Sequence, residues 1–230
     1  TLSGGLTFDR LRDRQSLLTT MDSQLRLVEP TMRDLDDHYH AAFDLLTSSR
    51  VREAFDISAE PAAIRDSYGR HEFGQSALLA RRLVERGVTF VTVNTQPWDH
   101  HGTANRHATA EGAKLLLPPF DCALAALVRD LVDRGLYHKT MIVAMGEFGR
   151  TPRMNDAAGR DHWGHTFSVL MGGGKLQQGI VVGASDPQGA YVAERPFSPE
   201  DIAATVYHHM GIDGRTVAFP DRAGRPPQRR

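Results

Sequence analysis

The sequence predicts an α/β fold with a mostly parallel central sheet flanked by helices, preceded by a helical N-terminal segment. Two observations support this prediction. Helical periodicity fills the first third of the chain, and helical patterns then alternate with continuous apolar runs. Strands of a parallel sheet are apolar throughout because helices cover both faces. We expect a helical subdomain or insertion over residues 1–70 and an α/β domain over residues 71–230.

Length and composition limit the class of protein. The 230 residues suit one large α/β domain with a helical appendage. A net charge of −1, with histidine neutral, gives no reason to expect nucleic acid or a membrane surface as a partner. No apolar run reaches the roughly 18 residues of a membrane span. The single cysteine, Cys122, excludes an intramolecular disulfide and a thiolate metal cluster.

Helices are predicted for most of the N-terminal segment. Leu6–Val28 has apolar residues at nearly helical spacing and ends before Pro30. A second helix is expected from Thr31 to Leu46 and a short third one at Val51–Phe55. None of these helices carries a chemical motif, so a packing or interaction role is favoured for residues 1–70.

The pattern changes after residue 70. Phe73–Arg86 is amphipathic and predicts a helix, and the β-branched run Val88–Val93 predicts a buried strand. A long helix is expected at His107–Arg134. A second buried strand is expected at Thr140–Met145.

The C-terminal third continues this alternation. Phe167–Met171 predicts a third strand, Ile180–Val182 a fourth, and Pro199–Met210 a helix with Ser198 as its N-cap. Ligands of parallel sheets bind at the carboxyl ends of the strands. The polar loops after the first two predicted strands are therefore the expected site.

The first motif in these loops is Trp98–His101 (WDHH). Asp99 and His101 lie two residues apart, so in an extended segment they project to the same side. A carboxylate and an imidazole that converge in this way can bind Zn²⁺ or a similar ion. The alternative is a solvated loop whose Thr103 or Asn105 caps the next helix.

The second motif is Gly146–Pro152 (GEFGRTP). Glu147 directly follows a predicted strand, and Arg150 could bind an oxyanion such as phosphate or sulfate. The alternative is a glycine-shaped turn in which Glu147 and Arg150 pair with each other.

The third motif is Gly159–His165 (GRDHWGH). His162 and His165 lie three residues apart, on one face if the loop turns there. The alternative is that Trp163 packs in the core while the histidines hydrogen-bond locally. Convergence of three loops with acidic and histidine residues at one sheet edge favours a site.

Together the motifs resemble a known family. The sequence resembles the bacterial DUF1501 family over about residues 65–225, through the segments SYGRHEFGQSALLARRLVERGVTFVTVN, WDHH, GEFGRTPRMN, GRDHW, FSVLMGGG and EDIAATVYHHMGID. That family is grouped with the alkaline-phosphatase-like superfamily, which includes sulfatases and phosphoglycerate mutases. The motifs are specific in this combination and order.

The resemblance implies metal ligands and an activity. Asp99, His101 and His162 match the ligands of the superfamily's first ion, and Glu147 matches a ligand of its second. The implied activity is hydrolysis of a small anionic phosphate or sulfate ester with a divalent ion as Lewis acid. Zn²⁺ is the expected ion, with Ca²⁺, Mg²⁺ or Mn²⁺ as alternatives.

Further residues complete the expected site. Arg150 or Arg160 would stabilise the anionic transition state. Three further residues could hydrogen-bond the ligand imidazoles and orient them: Asp161, His165 and His100.

Three departures from the superfamily pattern matter. The spacing of the first Asp–His pair is D-x-H here, which is shorter than the D-x-x-x-H of alkaline phosphatase. Phe148 follows Glu147 where many relatives have His or Asn. The N-terminal strand that supplies an Asp ligand and the nucleophile loop is missing, so we expect an incomplete hydrolase and assign no nucleophile.

Two other functions stay open. One is a catalytically degenerate protein that binds metal without turnover, and the other is a purely structural module whose helical N-terminal segment docks a partner. The resemblance implies export through an upstream twin-arginine signal, whereas the sequence itself indicates neither compartment nor oligomeric state.

Overall fold

The computed structural model describes residue 7, positions 9, 10, 13, 14, 16, 17 and 20, and residues 48–214 except 96, 104 and 105. The chain divides into two compact units, Thr1–Ala59 and Glu60–Arg230. The boundary predicted at residue 70 stays a prediction.

Most described residues of the first unit have helical backbone. The described positions from 9 to 20 have helical backbone, and α1 spans Ser49–Phe55. Ser48 caps α1, because its Oγ accepts the Val51 N–H at 3.4 Å. Thr7, in the predicted first helix, is described and is not helical. The remaining residues of that helix, and all of the helix predicted from Thr31 to Leu46, lie outside the described residues.

The second unit contributes four α-helices to the described part of the chain. They are α2 (Ala62–Ser67), α3 (Glu72–Glu85), α4 (Thr109–Asp133) and α5 (Pro199–His209). The imidazole of His71 caps α3 by accepting the Gly74 N–H at 3.0 Å. Ser198 and Asp201 form a capping box at the start of α5. Within the described residues, no helix combines the length and apolar composition that a bilayer crossing requires.

The core of this unit lies between α3 and α4. Apolar positions of the two helices meet around the completely buried Tyr68, and the buried side chains are Tyr68, Ala77, Leu78, Ala123 and Ala126. Ile64, Phe73 and Leu127 pack against them. The small alanines allow the two helices to approach closely. The loop that contains Trp98 packs against this helix pair.

An ionic cluster borders this core. We use the term for Glu60, Arg81, Glu85, Asp130 and Arg134. The Arg81 side chain is fully buried, and its three nitrogens lie 2.8–2.9 Å from carboxylates of Glu60, Glu85 and Asp130. Arg134 pairs with Asp130 at 2.6 Å and with Glu85 at 2.9 Å. The cluster links α3 to α4 by charge as well as by apolar packing.

Helix α4 contains two consecutive prolines, Pro118 and Pro119. Each lacks the N–H that would donate to the carbonyl four residues earlier. The helix continues through both, and Phe120 directly after them packs on Phe73 of α3 with ring centroids 5.9 Å apart.

Six short strands form three two-stranded ladders in the described residues, all antiparallel. The strands are β1 (Met141–Ala144), β2 (Gly149–Arg150), β3 (His162–Trp163), β4 (Leu170–Gly173), β5 (Ala184–Ser185) and β6 (Val192–Glu194). β1 pairs with β4, β2 with β3, and β5 with β6. The chain between β1 and β4 contains the β2–β3 hairpin and no crossover helix, so β4 returns antiparallel to β1.

The mixed α/β class is confirmed, whereas a parallel ladder does not occur among the described strands. The predicted strand Val88–Val93 has no ladder partner in the described part of the chain, and Val88 and Phe90 are 41% and 63% exposed. Ile180–Val182 is likewise exposed, and the ladder begins two residues later at Ala184. A β-branched run fits a strand only where neighbouring strands are available, which is a tertiary property.

Candidate metal centre

The loop that carries Asp99 is held by aromatic packing against the helices. The Trp98 indole meets the Phe120 ring edge-on, with centroids 5.8 Å apart and an interplanar angle of 82°. Its Nε1–H donates to Thr95 Oγ1 at 3.1 Å. Because Phe120 also stacks on Phe73, the start of the WDHH motif is tied to both α3 and α4.

His100 faces α4. A Cβ on Gly112 would lie 2.2 Å from the His100 ring, so the imidazole occupies the space that a side chain would need. Burial, followed by the charges of Arg150 and His107, lowers the pKa of His100 although Asp99 opposes this. His100 therefore packs as a neutral ring against the helix, and no described group hydrogen-bonds its buried Nε2.

Asp99, His101 and His162 bring three ligand atoms together. Asp99 Oδ1 lies 2.7 Å from His101 Nε2 and 3.3 Å from His162 Nε2. The two Nε2 atoms are 3.1 Å apart. Asp99 and His101 converge, as their spacing predicts, and His162 reaches the same point from β3. We call these atoms the donor triangle.

Asp161 determines which nitrogen of His101 faces the donor triangle. Asp161 Oδ1 lies 2.8 Å from His101 Nδ1, and the pKa of Asp161 is lowered, chiefly by this hydrogen bond. An ionised carboxylate only accepts, so Nδ1 carries a proton and donates. The lone pair of a neutral His101 then points from Nε2 at the Asp99 carboxylate. Two acceptors at 2.7 Å require a proton or a cation beside them, and Arg150 lies within 3.3 Å of His101 Nε2 and 3.0 Å of Asp99 Oδ1.

The donor triangle has nearly the dimensions of one face of a tetrahedral site. With bonds of about 2.0–2.1 Å to zinc, tetrahedral ligand atoms lie roughly 3.3 Å apart. The edges of 3.1 and 3.3 Å fit this value, and the 2.7 Å edge would have to open slightly. Two imidazoles and one carboxylate suit Zn²⁺ and leave a fourth position for another ligand. The three side chains thus form a possible metal-binding triad.

Two arginines flank the Asp99 carboxylate. Arg150 Nη2 donates to Asp99 Oδ1 at 3.0 Å and to the Trp98 carbonyl at 2.7 Å. Arg106 Nε lies 3.0 Å from Asp99 Oδ2. Partial burial raises the pKa of Asp99, but hydrogen bonds from Arg150 and His162 lower it more. Asp99 is therefore ionised, and Arg150 occupies one of the carboxylate oxygens that a metal ion would need.

Arg160 does not point at the donor triangle. Its Nη1 donates to the carbonyls of Thr151 and Pro152 at 2.7 and 2.8 Å. Its main-chain N–H donates to the His100 carbonyl at 2.8 Å. In this conformation Arg160 stabilises the loops around the site.

The β1–β2 loop presents an aromatic ring to the site. The Phe148 ring lies 4.1 Å from the His162 ring at 34°, and the Arg150 guanidinium lies 5.7 Å from the centre of Phe148. Glu147 is exposed and does not belong to the donor triangle. Within the described residues it has no hydrogen bond or ion pair.

His165 belongs to a separate aromatic cluster. Its ring centroid is 4.7 Å from Trp163 and 5.1 Å from Tyr191. Trp163 donates its Nε1–H to the Ala190 carbonyl at 2.6 Å. Successive strand residues point to opposite faces, so Trp163 faces away from the side on which His162 meets the donor triangle.

The loop that carries His101 and the segment before β3 touch through their main chains. A Cβ on Gly102 would lie 2.1 Å from the Ala157 carbonyl oxygen, and one on Gly159 would lie 2.0 Å from the His101 carbonyl. Asn155 connects the loops, because its Nδ2 donates to the His101 carbonyl at 3.0 Å. Only glycine permits this approach at residue 102, where φ is +72° as well.

Sequence reasoning missed two residues of this site. Arg106 follows Asp99 by seven residues and belongs to no local pattern, so only the folded chain reveals its contact. Asn155 stands four residues before Gly159, which is a spacing typical of a side-chain-closed turn. That signal could have identified Asn155 as a loop-forming residue.

Comparison with known proteins gives one match. A family model described as "Protein of unknown function (DUF1501)" matches residues 1–228. Neither the curated proteins nor the solved structures yield a match.

Proposed function

We propose that this chain, which belongs to the DUF1501 family, is a metal-dependent hydrolase of phosphate or sulfate esters. The observation that carries the proposal is the donor triangle, whose three ligand atoms all lie within 4.8 Å of one another. Its residues come from two loops some sixty positions apart in the sequence. Folding is needed to bring these donors together, and their types are those of catalytic zinc sites.

Local charge favours an anionic substrate. The carboxylates of Asp99 and Asp161 balance the guanidinium groups of Arg106 and Arg150. A bound divalent ion would add two positive charges, and the described side chains of the centre offer no further carboxylate to balance them. A small anionic ester supplies that counterion, whereas a neutral ester does not.

The side chains around the triangle have distinct roles in this proposal. A bound divalent ion supplies a Lewis acid. Arg150 and Arg106 bind the anionic oxygens of the ester, because arginine presents paired donors to such groups. Asp161 holds the proton on His101 Nδ1 and keeps Nε2 directed at the triangle. Phe148 covers one face of His162 and excludes water there.

The finer assignments are also part of the proposal. We infer an alkaline-phosphatase-like α/β domain with a mostly parallel sheet from residue 71 onward, on the order of the motifs. Glu147 is available for a second ion, because its exposed carboxylate forms no ion pair with the described residues. Zn²⁺ is the proposed ion, and Ca²⁺, Mg²⁺ and Mn²⁺ are the alternatives.

A second candidate is a metal-stabilised binding protein without turnover. One observation favours it: Arg150 already neutralises the ligand Asp99 at 3.0 Å. In addition, Phe148 places an aromatic ring where a second ligand is expected. In this alternative the ion would hold the two loops together and perform no chemistry.

The test combines metal analysis with turnover in the full-length protein. Aryl phosphates and aryl sulfates are assayed after loading with Zn²⁺, Mn²⁺, Mg²⁺ or Ca²⁺. We expect bound metal and hydrolysis in the wild type, and loss of both in His162→Ala. His138→Ala is the control, because His138 is exposed and lies outside the donor triangle.

The possible outcomes separate the proposals. Bound metal without hydrolysis of either ester would favour the binding protein. Absence of bound metal after loading would refute both metal functions and leave an α/β scaffold.

A further inference from the structure

The side-chain amide of Asn155 forms hydrogen bonds through both its oxygen and its nitrogen. Its Oδ1 accepts the main-chain N–H groups of Ala157 and Gly159 at 3.1 and 2.9 Å. Its Nδ2 donates to the His101 carbonyl at 3.0 Å and lies 3.4 Å from Asp161 Oδ1. Two main-chain donors on one side fix the orientation of the amide, because only its oxygen can accept both.

These contacts join the turn at residues 155–159 to the ligand His101. The turn is closed further by main-chain hydrogen bonds from Asn155 to Gly159 and from Ala158 back to Asn155. The closed turn carries Gly159 against the His101 main chain, and Asp161 follows two residues later. Asn155 therefore fixes both the main chain of His101 and the carboxylate that binds its ring.

Other side chains cannot reproduce this geometry. Aspartate at this position would replace the Nδ2 donor by a carboxylate oxygen. That oxygen would face two other acceptors, Asp161 Oδ1 and the His101 carbonyl. Serine could still accept the N–H groups of the turn but is too short to donate across to the other loop. Asn155 thus combines two functions that substitution can separate.

We propose that Asn155 is a positioning residue that acts through Asp161 to direct the lone pair of His101 Nε2 into the donor triangle. The proposal rests on the metal function proposed above. Asn155 reaches neither the donor triangle nor a substrate directly. Its removal should weaken metal binding by loosening Asp161 and freeing the His101 ring. Loss of such an outer contact typically weakens metal binding by about 10–100-fold.

The test uses Asn155→Ser, Asp161→Asn, the double variant, and Asn94→Ala as a control. Asn94 is exposed and forms no side-chain hydrogen bond within the described residues. Zinc affinity is measured by chelator competition in the full-length protein. We expect about tenfold weaker binding for Asn155→Ser and no change for Asn94→Ala. The fold-loss of zinc affinity in the double variant should be smaller than the product of the two single-variant losses, because both substitutions remove the same support of His101.

A second measurement does not depend on metal. Imidazole nitrogen NMR of the metal-free protein at alkaline pH reports which nitrogen of His101 carries the proton. Asn155→Ser and Asp161→Asn should both reduce the Nδ1–H fraction relative to the wild type. An unchanged fraction in Asn155→Ser, or effects on zinc affinity that multiply, would overturn the proposal. A wild type that binds none of Zn²⁺, Mn²⁺, Mg²⁺ and Ca²⁺ would refute the proposed function, while the NMR result would still decide the role of Asn155.

Discussion

Gly159 is the residue of the site with the least room for a side chain. A Cβ there would lie 2.0 Å from both the carbon and the oxygen of the His101 carbonyl, which are main-chain atoms that cannot turn away. We expect Gly159→Ala to push the two ligand-bearing loops apart, at a cost of about 1–3 kcal/mol in the free energy of unfolding. Zinc affinity should fall with it, because the donor triangle spans both loops. Urea denaturation and chelator competition measure the two effects.

Gly164 provides the matched control for this substitution. A Cβ at residue 164 meets no atom within 4 Å, and its φ lies outside the left-handed region. Gly164→Ala should leave both stability and zinc affinity near their wild-type values. Equal effects of the two substitutions would mean that the contact between the loops does not shape the site.

Single residues of the site differ in how far the sequence predicts them. The convergence of Asp99 and His101 follows from alternation along an extended segment. The approach of His162 depends on the β2–β3 hairpin and could be inferred only from the order of the loops. The contact between Arg106 and Asp99 has no local signal, since flexible arginine side chains find their partners only in the folded chain.

At the scale of elements, the ionic cluster joins α3 to α4 through Arg81. Arg81→Met would remove a fully buried cation, so that the carboxylates of Glu60 and Asp130 would each lose an arginine partner. Breaking a buried ion pair from one side costs about 3–5 kcal/mol. We expect a loss of that size in the free energy of unfolding. Tryptophan fluorescence in urea is a suitable probe, because Trp98 and Trp163 both belong to the second unit.

An exposed arginine serves as the comparison. The side chains of Arg70 and Asp66 are 44% and 61% exposed in their ion pair. Arg70→Met should therefore cost no more than about 1 kcal/mol. If Arg81→Met cost as little, the ionic cluster would add no stability beyond that of surface charges.

The helices of the second unit were easier to predict than its strands. α3 and α4 begin and end within two residues of the predicted Phe73–Arg86 and His107–Arg134, because each helix contains its own hydrogen bonds and apolar stripe. Val88–Val93 and Phe167–Met171 look alike as apolar runs. Only the second overlaps a described ladder, where β4 pairs with β1. Pairing between strands depends on contacts distant in sequence, which local composition does not encode.

For the whole molecule, an ion in the donor triangle would couple folding to metal binding. The ligands lie on two loops that are brought together only in the folded chain, so the unfolded chain should bind the ion weakly. Zinc at one hundred times its dissociation constant should then stabilise the fold by about 2.7 kcal/mol. Thermal unfolding with added zinc, and after chelator treatment, measures this stabilisation.

Asp99→Asn, which replaces the carboxylate of the donor triangle by an amide, is the control for this coupling. Asp99→Asn should unfold at the same temperature with zinc as after chelation. An equal rise in unfolding temperature in wild type and Asp99→Asn would place the stabilising ion elsewhere in the chain.

The proline pair at residues 118–119 divides α4 into two parts with different attachments. The part after the prolines carries Ala123, Ala126 and Asp130 against α3, while the part before them carries Gly112 against the His100 ring. Two successive missing amide donors weaken the backbone ladder where these parts join. A disturbance at the end that packs on the His100 ring would therefore bend α4 at this joint before it reaches the contacts with α3.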